Sequence, residues 1–243
     1  MQSPALAKWI FAGNSIMFLT LGTILLGGFN AQQPAVLSVE RINIVDSAGH
    51  LALVLSNGSR LPGITWAGKE YVKPRGRRGS AGMIFYNEAG DEVGGLVYRG
   101  APSGPRDTST AFGHLSFDQW KQNQVVALQY LDNGTNRSAG LRVWDRPPGT
   151  PTEAEAHAVL GQQIGVTQPG PVRDSLRREY MRLEVAASGQ LRAFLGSANG
   201  VAALELRDVN GHVRIRLSVD TVGTAQLAFL DTLGRVTTTY PTQ

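Results

Sequence analysis

The side chains best suited to catalysis or metal binding are few and far apart in this sequence. The 243 residues include no cysteine and four histidines: His50, His114, His157 and His212. No two of them have the spacing of a metal-binding motif such as HExxH. His50 and His212 each follow the glycine of an Asp-x-x-Gly turn, where a solvated side chain is expected. Without cysteine, thiolate ligands and a cysteine nucleophile are excluded, so we predict neither a metal nor a cofactor.

Serines and carboxylates also lack the arrangement of a familiar active site. The sequence contains no G-x-S-x-G nucleophile motif. The closest carboxylate groupings are Asp91 with Glu92 and Glu153 with Glu155, which resemble an acid and base pair for glycoside hydrolysis. Neighbouring residues on a strand point to opposite faces, however, and acidic residues are common in exposed turns. We therefore predict a non-enzymatic protein. A hydrolase of unrecognised type is an alternative that needs carboxylates brought together from distant strands.

A basic segment lies between residues 69 and 78. Its cations are Lys69, Lys73, Arg75, Arg77 and Arg78, against one acid, Glu70. A solvated loop is the simplest interpretation. The functional interpretation is contact with an acidic partner or with lipid headgroups, where each cation near an anionic membrane contributes about 1 kcal/mol. Nucleic acid is not expected as a partner, because only Tyr71 accompanies these cations as a stacking aromatic.

An uncharged apolar run from Trp9 to Phe29 is the strongest single feature of the chain. As a helix it reaches about 31 Å, close to the roughly 30 Å hydrocarbon core of a bilayer. It predicts one transmembrane helix. A cleaved signal peptide is the alternative, but its apolar core is usually only about 7 to 15 residues long. Lys8 and the amino terminus favour a cytoplasmic N-terminus, with the rest of the chain on the periplasmic side of a bacterial inner membrane.

Three residues within this run are predicted to contact other integral membrane subunits. Asn14 lies near its N-terminal end, and Thr23 and Gly27 follow at a four-residue spacing. Small residues let neighbouring helices approach closely, and an amide can hydrogen-bond across the interface. The alternative for Asn14 is an interfacial side chain that bonds its own backbone.

After a polar linker the sequence is typical of short β-strands joined by turns. Asp or Asn with Gly three residues later recurs at Asp46, Asn87, Asp208, Asp220 and Asp231. In such turns the side-chain oxygen accepts backbone hydrogen bonds and the glycine takes a positive φ. Strict alternation of apolar and polar residues from 213 to 219 indicates a strand with one solvated face. We predict a mainly β fold, in which a single N-terminal transmembrane helix precedes an antiparallel hairpin and meander domain.

These features divide the chain into consecutive segments. They are an N-terminal tail (1–8), the transmembrane helix (9–29), a linker (30–35), a β sub-domain (36–146), a Pro-rich segment with short helices (147–180) and an antiparallel meander (181–243). The Pro-rich segment is either an insertion or a linker between two β sub-domains. Two short helices are expected in it, one capped by Thr152 to Glu155 and running through Leu160, the other from Val172 to Tyr180.

The order of several segments resembles a group of uncharacterised bacterial membrane-anchored β-hairpin-repeat proteins. The resemblance rests on GMIFYNEAGDEVGGLVY, then LSFDQWKQNQVVALQYLDNG, GLRVWDRP and the C-terminal Asp-x-x-Gly hairpins. It covers most of residues 36–240 and implies a grouping without an activity. The layout of one span followed by a β-rich domain is similar, in plan only, to the H subunit of bacterial photosynthetic reaction centres, although the predicted orientation is opposite.

The functional expectation is an accessory or structural subunit that stabilises a larger membrane protein complex, such as a photosynthetic or other energy-converting assembly. Other integral membrane subunits and membrane lipid are the expected partners. A cell-envelope module that binds glycan or peptide is an alternative, which exposed aromatic residues along a groove of the sheet would favour. Trp66, Trp120 and Trp144 are expected to pack in the core or at its edge.

Overall fold

The computed structural model describes residues 36–71, 79–102 and 109–241. The predicted membrane span with Asn14, Thr23 and Gly27 lies outside these ranges, as do four residues of the basic segment, Lys73, Arg75, Arg77 and Arg78. The chain separates into two compact units, Met1–Val39 and Glu40–Gln243, and every described helix and strand belongs to the second. Neither described helix combines the length and the apolar character needed to cross a membrane.

The fold is mainly β, as predicted, and is built on one antiparallel sheet of twelve strands. The strands are β1 (Arg41–Val45), β2 (Leu51–Ser56), β3 (Thr65–Trp66), β4 (Lys69–Glu70), β5 (Ala81–Tyr86), β6 (Glu92–Pro102), β7 (Ser109–Asp118), β8 (Gln124–Asp132), β9 (Arg137–Asp145), β10 (Gln190–Ala198), β11 (Val201–Arg207), β12 (Val213–Val219), β13 (Ala225–Leu230) and β14 (Val236–Tyr240). β3 and β4 form a separate hairpin. All other strands follow one another in sheet order, so the whole sheet is a meander.

Two helices lie between β9 and β10. They are α1 (Pro151–Val166) and α2 (Pro171–Ala187), and both are longer than the short helices expected from the sequence. Thr150 is the N-cap of α1: its Oγ1 accepts a hydrogen bond from the Glu153 backbone N–H and donates one to the Glu153 carboxylate. Because α2 continues through Ala187, the following strand begins at Gln190, later than the predicted start of the meander near Met181.

The predicted turns have the expected chemistry. Asp208 Oδ1 accepts hydrogen bonds from the backbone N–H groups of Asn210 and His212, and Gly211 has a φ of 83°. The same pattern recurs at Asp46, Asn87, Asp220 and Asp231. These local bonds define where each strand ends and the next begins, and this prediction is confirmed.

The densest packing lies on one side of the first strands. Val54 of β2 and Ile84 of β5 point to the same face, where they pack with Leu61 and Tyr86. Leu61 belongs to the segment between β2 and β5, which also carries the β3–β4 hairpin. That segment therefore covers the face of the sheet that carries Val54 and Ile84.

Candidate interaction surface

One row of side chains is apolar on every strand of the sheet. Residues that face each other across paired strands project from the same face, so the strand register traces this row across the sheet. We call it the middle row: Ile42, Leu55, Met83, Leu96, Leu115, Leu128, Leu141, Leu195, Leu204, Leu217, Leu227 and Tyr240. We call the face that carries it the leucine face.

A second row on the leucine face runs beside the middle row. It consists of Ile44, Leu53, Phe85, Gly94, Phe117, Val126, Val143, Ala193, Leu206, Ile215, Phe229 and Thr238. Phe85 and Phe117 stack with ring centroids 6.3 Å apart, on either side of Gly94. Neither row contains a charged side chain.

The leucine face is open over much of its length. Leu128 is 57% exposed, Leu195 56% and Leu217 50%, although each has an apolar neighbour on both adjacent strands. Antiparallel sheets normally turn their apolar face towards a core and their polar face towards water. Here the apolar face is the one that lacks such a cover among the described residues.

The opposite face carries charged side chains that pair with one another. In the C-terminal half, Glu205 accepts hydrogen bonds from Arg216 Nε at 2.9 Å and from Arg207. The Arg142 guanidinium lies 5.0 Å from the centre of the Phe194 ring. Long charged side chains thus extend over this part of the opposite face, whereas at β2 and β5 the same face carries the buried Val54 and Ile84.

One ion pair marks the margin of the leucine face at the end of β8 and β9. Arg137 Nε donates to Asp132 Oδ2 at 2.8 Å, and the two residues face each other across these strands. A hydrogen bond from the Gly134 backbone N–H and the bond from Arg137 hold the pKa of Asp132 below its usual value. The two charges cancel, so this pair adds no net charge to the face.

A separate cavity of about 250 Å³ lies between the helices and the β3, β6 and β7 regions. It is lined by the carboxylates of Glu92, Asp118, Glu153 and Glu184 and by the basic side chains of Lys121, Arg146 and His157. Because these acids come from distant elements, the cavity meets the first requirement of the hydrolase alternative.

Glu184, one of the acids that line this cavity, is paired with a basic side chain. Glu184 lies 2.8 Å from His157 Nε2. The hydrogen bond from His157 lowers the pKa of Glu184, and burial only partly opposes this effect, whereas a general acid at neutral pH needs a raised pKa. Lys121 is bonded to Asp91, 2.6 Å away. The first pair joins α1 to α2, and the second joins the turn before β8 to the turn before β6.

Arg146 has a structural position in the same region. Its Nε donates to the Gln124 carbonyl at 2.6 Å, and its Nη1 donates to the carbonyls of Ala187 and Ser188 at the end of α2. Burial lowers the pKa of Arg146. In the part of the chain that the structure describes, no group of three or more His, Asp or Glu side chains is placed to hold a metal ion.

The structure places one of the predicted contact residues. Lys69 is exposed on β4, and its Nζ lies 5.1 Å from the centre of the buried Tyr71 ring. The other predicted contacts, Asn14, Thr23, Gly27, Lys73, Arg75, Arg77 and Arg78, lie outside the described residues. Trp120 is 55% exposed, in contrast to the packing in the core or at its edge that was expected for it.

Sequence reasoning missed the leucine face as a surface. The signal was available in the alternating strand from 213 to 219, whose apolar residues Ile215 and Leu217 lie on this face. We compared the chain with protein-family models, with curated proteins and with solved structures, and none of them matches it.

Proposed function

We propose that this protein is a non-enzymatic, membrane-anchored accessory protein that supports a larger assembly through protein contacts. The observation that carries the proposal is the leucine face, which is apolar on all twelve strands of the sheet and exposed over much of its length. Large exposed apolar patches on folded domains mark surfaces that bind proteins or membranes. A continuous apolar surface offers contact area to a partner, and it lacks the converging polar groups that chemistry requires.

The sequence supports the membrane part of the proposal. The uncharged run at 9–29 is long enough to span a bilayer, and it would hold the sheet at the periplasmic side of the inner membrane. Asn14, Thr23 and Gly27 would contact other membrane helices. Lys69 and the cations that follow it would contact lipid headgroups or an acidic subunit.

The composition of the leucine face favours protein contact over glycan binding. Sugars are held by hydrogen bonds together with aromatic stacking, whereas the exposed centre of this face consists of aliphatic side chains such as Leu195, Leu204 and Leu217. Protein interfaces bury apolar side chains at their centre and keep polar groups at the rim. The Asp132–Arg137 pair at the margin fits that pattern.

A matched pair of variants tests the proposal. Leu204 and Leu217 face each other on the leucine face, and Ala203 and Ser218 face each other on the opposite face of the same two strands. Leu204→Lys/Leu217→Glu and Ala203→Lys/Ser218→Glu therefore introduce the same opposite-charge pair on opposite sides. Net charge is unchanged, and the cross-strand pair itself contributes roughly 0.2 to 1 kcal/mol to the sheet.

The measurement is the size of the particle that carries the full-length chain after mild detergent extraction of membranes. We expect the wild-type chain in the membrane fraction, in a particle larger than its 26.1 kDa monomer in a micelle. Leu204→Lys/Leu217→Glu should return it to the monomer, and Ala203→Lys/Ser218→Glu should not. A wild-type monomer in several mild detergents, or equal behaviour of the two variants, contradicts the proposal.

A further inference from the structure

We propose that the leucine face of one chain is covered by the leucine face of a second copy, so that two sheets pack face to face. The inference rests on the proposed function, since it names the partner of the same surface. Two sheets packed in this way lie about 10 Å apart, with their side chains interdigitating to form a shared core.

Charge is the first argument for a second copy. The middle row and the row beside it contain no charged side chain, and the ion pair of Asp132 with Arg137 at the margin is neutral. A charged partner would lose hydration at this surface without gaining a counter-charge. A second leucine face has neither charge to desolvate nor like charge to repel, so the surface is complementary to itself.

The available area is the second argument. Neighbouring strands are about 4.8 Å apart, so twelve strands measure about 53 Å across. Two rows of side chains cover about 14 Å along the strands, which gives roughly 740 Å² for each copy and about 1,500 Å² for a pair. Stable, specific interfaces bury about 1,200 to 2,000 Å² in total, so the leucine face alone is large enough.

The chain's own apolar run at 9–29 is the main competing occupant. A helix of this length is about 31 Å long and about 10 Å wide, so it covers roughly 310 Å². That is less than half of the two rows. Leu55 on β2 is 44% exposed and Tyr240 on β14 is 58% exposed, and both belong to the middle row. Ten strand spacings, about 48 Å, separate these two strands, so one helix of about 31 Å cannot cover both ends of the row.

A pair formed from identical faces is isologous, with each contact repeated about a two-fold axis. The shared core would then consist of middle-row leucines from both copies. Contacts with other subunits would be made by residues outside this face, including the span contacts Asn14, Thr23 and Gly27 and the basic segment from Lys69.

Co-capture of two differently tagged full-length copies from the same membranes tests this pairing. We expect the wild-type copies to be captured together. Leu204→Lys/Leu217→Glu in both copies should weaken their association by at least roughly 100-fold, because two apolar side chains at the interface centre are replaced by charges. Ala203→Lys/Ser218→Glu should leave the association unchanged, and circular dichroism should show the same β content in both variants.

Single cysteines provide a second test that does not depend on disrupting the interface. The chain has no cysteine of its own, so every cross-link involves an introduced thiol. Leu141→Cys, Leu195→Cys, Leu204→Cys and Leu217→Cys sample the middle row, and Ala203→Cys and Ser218→Cys sample the opposite face. With a thiol-specific reagent that spans about 10 Å, we expect covalent dimers from middle-row cysteines alone.

The outcomes separate this inference from the proposed function. Cross-links from the middle row to a different protein, without dimers of this chain, overturn the second-copy inference and leave the proposed function standing. A membrane-bound monomer without cross-links overturns both. Dimers formed equally from both faces also overturn the inference, because they show contact without selection of the leucine face.

Discussion

Leu141 of β9 lies directly opposite Leu195 of β10, although α1 and α2 separate these strands in the sequence. The two helices are therefore an insertion into what is otherwise a simple β-hairpin. The sheet continues through this point without a change in face, since the same row extends to Leu128 on one side and Leu204 on the other.

This arrangement predicts that the helical insertion can be removed. Asp145 and Gln190 are paired, so replacing residues 146–189 by Asn-Gly joins β9 to β10 through a two-residue hairpin turn. We expect the shortened chain to keep the β signal in far-ultraviolet circular dichroism and a cooperative thermal transition.

The ladder between β9 and β10 has a bulge between Leu191 and Ala193, which can absorb the loss of Gln190 alone. Replacing 146–191 instead places Leu195 opposite Arg142, a shift of one residue that turns Leu195 to the wrong face. If both deletions behave alike, the assigned register is incorrect.

The close backbone contact at Gly94 predicts that a side chain at this position destabilises the fold. Its φ is 132°, and a Cβ built there would lie 2.3 Å from the Ser116 carbonyl oxygen. Gly94→Ala should therefore cost about 3 kcal/mol or more, from strain and overpacking together. Gly223 also has a positive φ, 91°, but open space around a built Cβ, so Gly223→Ala should cost only about 1 kcal/mol. Chemical denaturation of both variants measures the difference, and equal losses would contradict the close approach at Gly94.

Much of this fold could be predicted because its signals are local. The Asp-x-x-Gly turns bond their own backbone, as Asp220 does with Val222 and Thr224, so the turns are visible in a few residues of sequence. The alternation from 213 to 219 depends on the two-residue period of a single strand. Neither signal needs knowledge of a distant partner.

The remaining features depend on contacts between residues far apart in the sequence, or on whether another layer covers the sheet. The pairing of Leu141 with Leu195 spans the helical insertion, and no local pattern shows that β9 and β10 are neighbours. The sequence also marks leucines as apolar without showing whether anything covers them. The N-cap at Thr150, with Glu153 three residues later, can be read from the sequence, but the helix cap is expected from the sequence two residues later, at Thr152.

We expect the ion pair of Asp91 with Lys121, close to the β3–β4 hairpin, to contribute strongly to the free energy of unfolding. The Asp91 side chain is 1% exposed and that of Lys121 10%, with 2.6 Å between Oδ1 and Nζ. Lys121→Met leaves a buried carboxylate without its cation and should cost about 3 to 5 kcal/mol. The double variant Lys121→Met/Asp91→Asn should recover part of that loss. A double variant less stable than Lys121→Met alone would contradict this account.

The same pair predicts how stability changes with pH. Burial acts to raise the pKa of Asp91, but hydrogen bonds from Lys121, Ala67 and Asn87 outweigh it and hold the pKa below its ordinary value. A carboxyl with a depressed folded pKa stabilises the protein above its unfolded pKa, about 3.9, and this stabilisation is lost as pH falls through the folded pKa. Thermal transitions of wild type and Lys121→Met, recorded from neutral to acidic pH, should therefore converge on acidification. A difference that stays constant below pH 3 would contradict the linkage.

The contact of His157 with Glu184 should stabilise the pairing of α1 with α2. The atoms His157 Nε2 and Glu184 Oε2 are 2.8 Å apart, and the His157 ring stacks on Tyr180 with centroids 4.0 Å apart. Because the Glu184 side chain is 39% exposed, we expect His157→Ala to cost only about 1 kcal/mol. Glu155→Gln, an exposed change on the same helix, serves as the control and should leave the thermal midpoint unchanged.

The pKa of Glu184 is depressed first by the hydrogen bond from His157, so the stabilisation from this contact is present above about pH 4.3 and is lost as pH falls through the folded pKa. The Glu184 carboxyl should titrate at higher pH in His157→Ala, and a titration followed by nuclear magnetic resonance that shows no such rise would contradict the assigned contact.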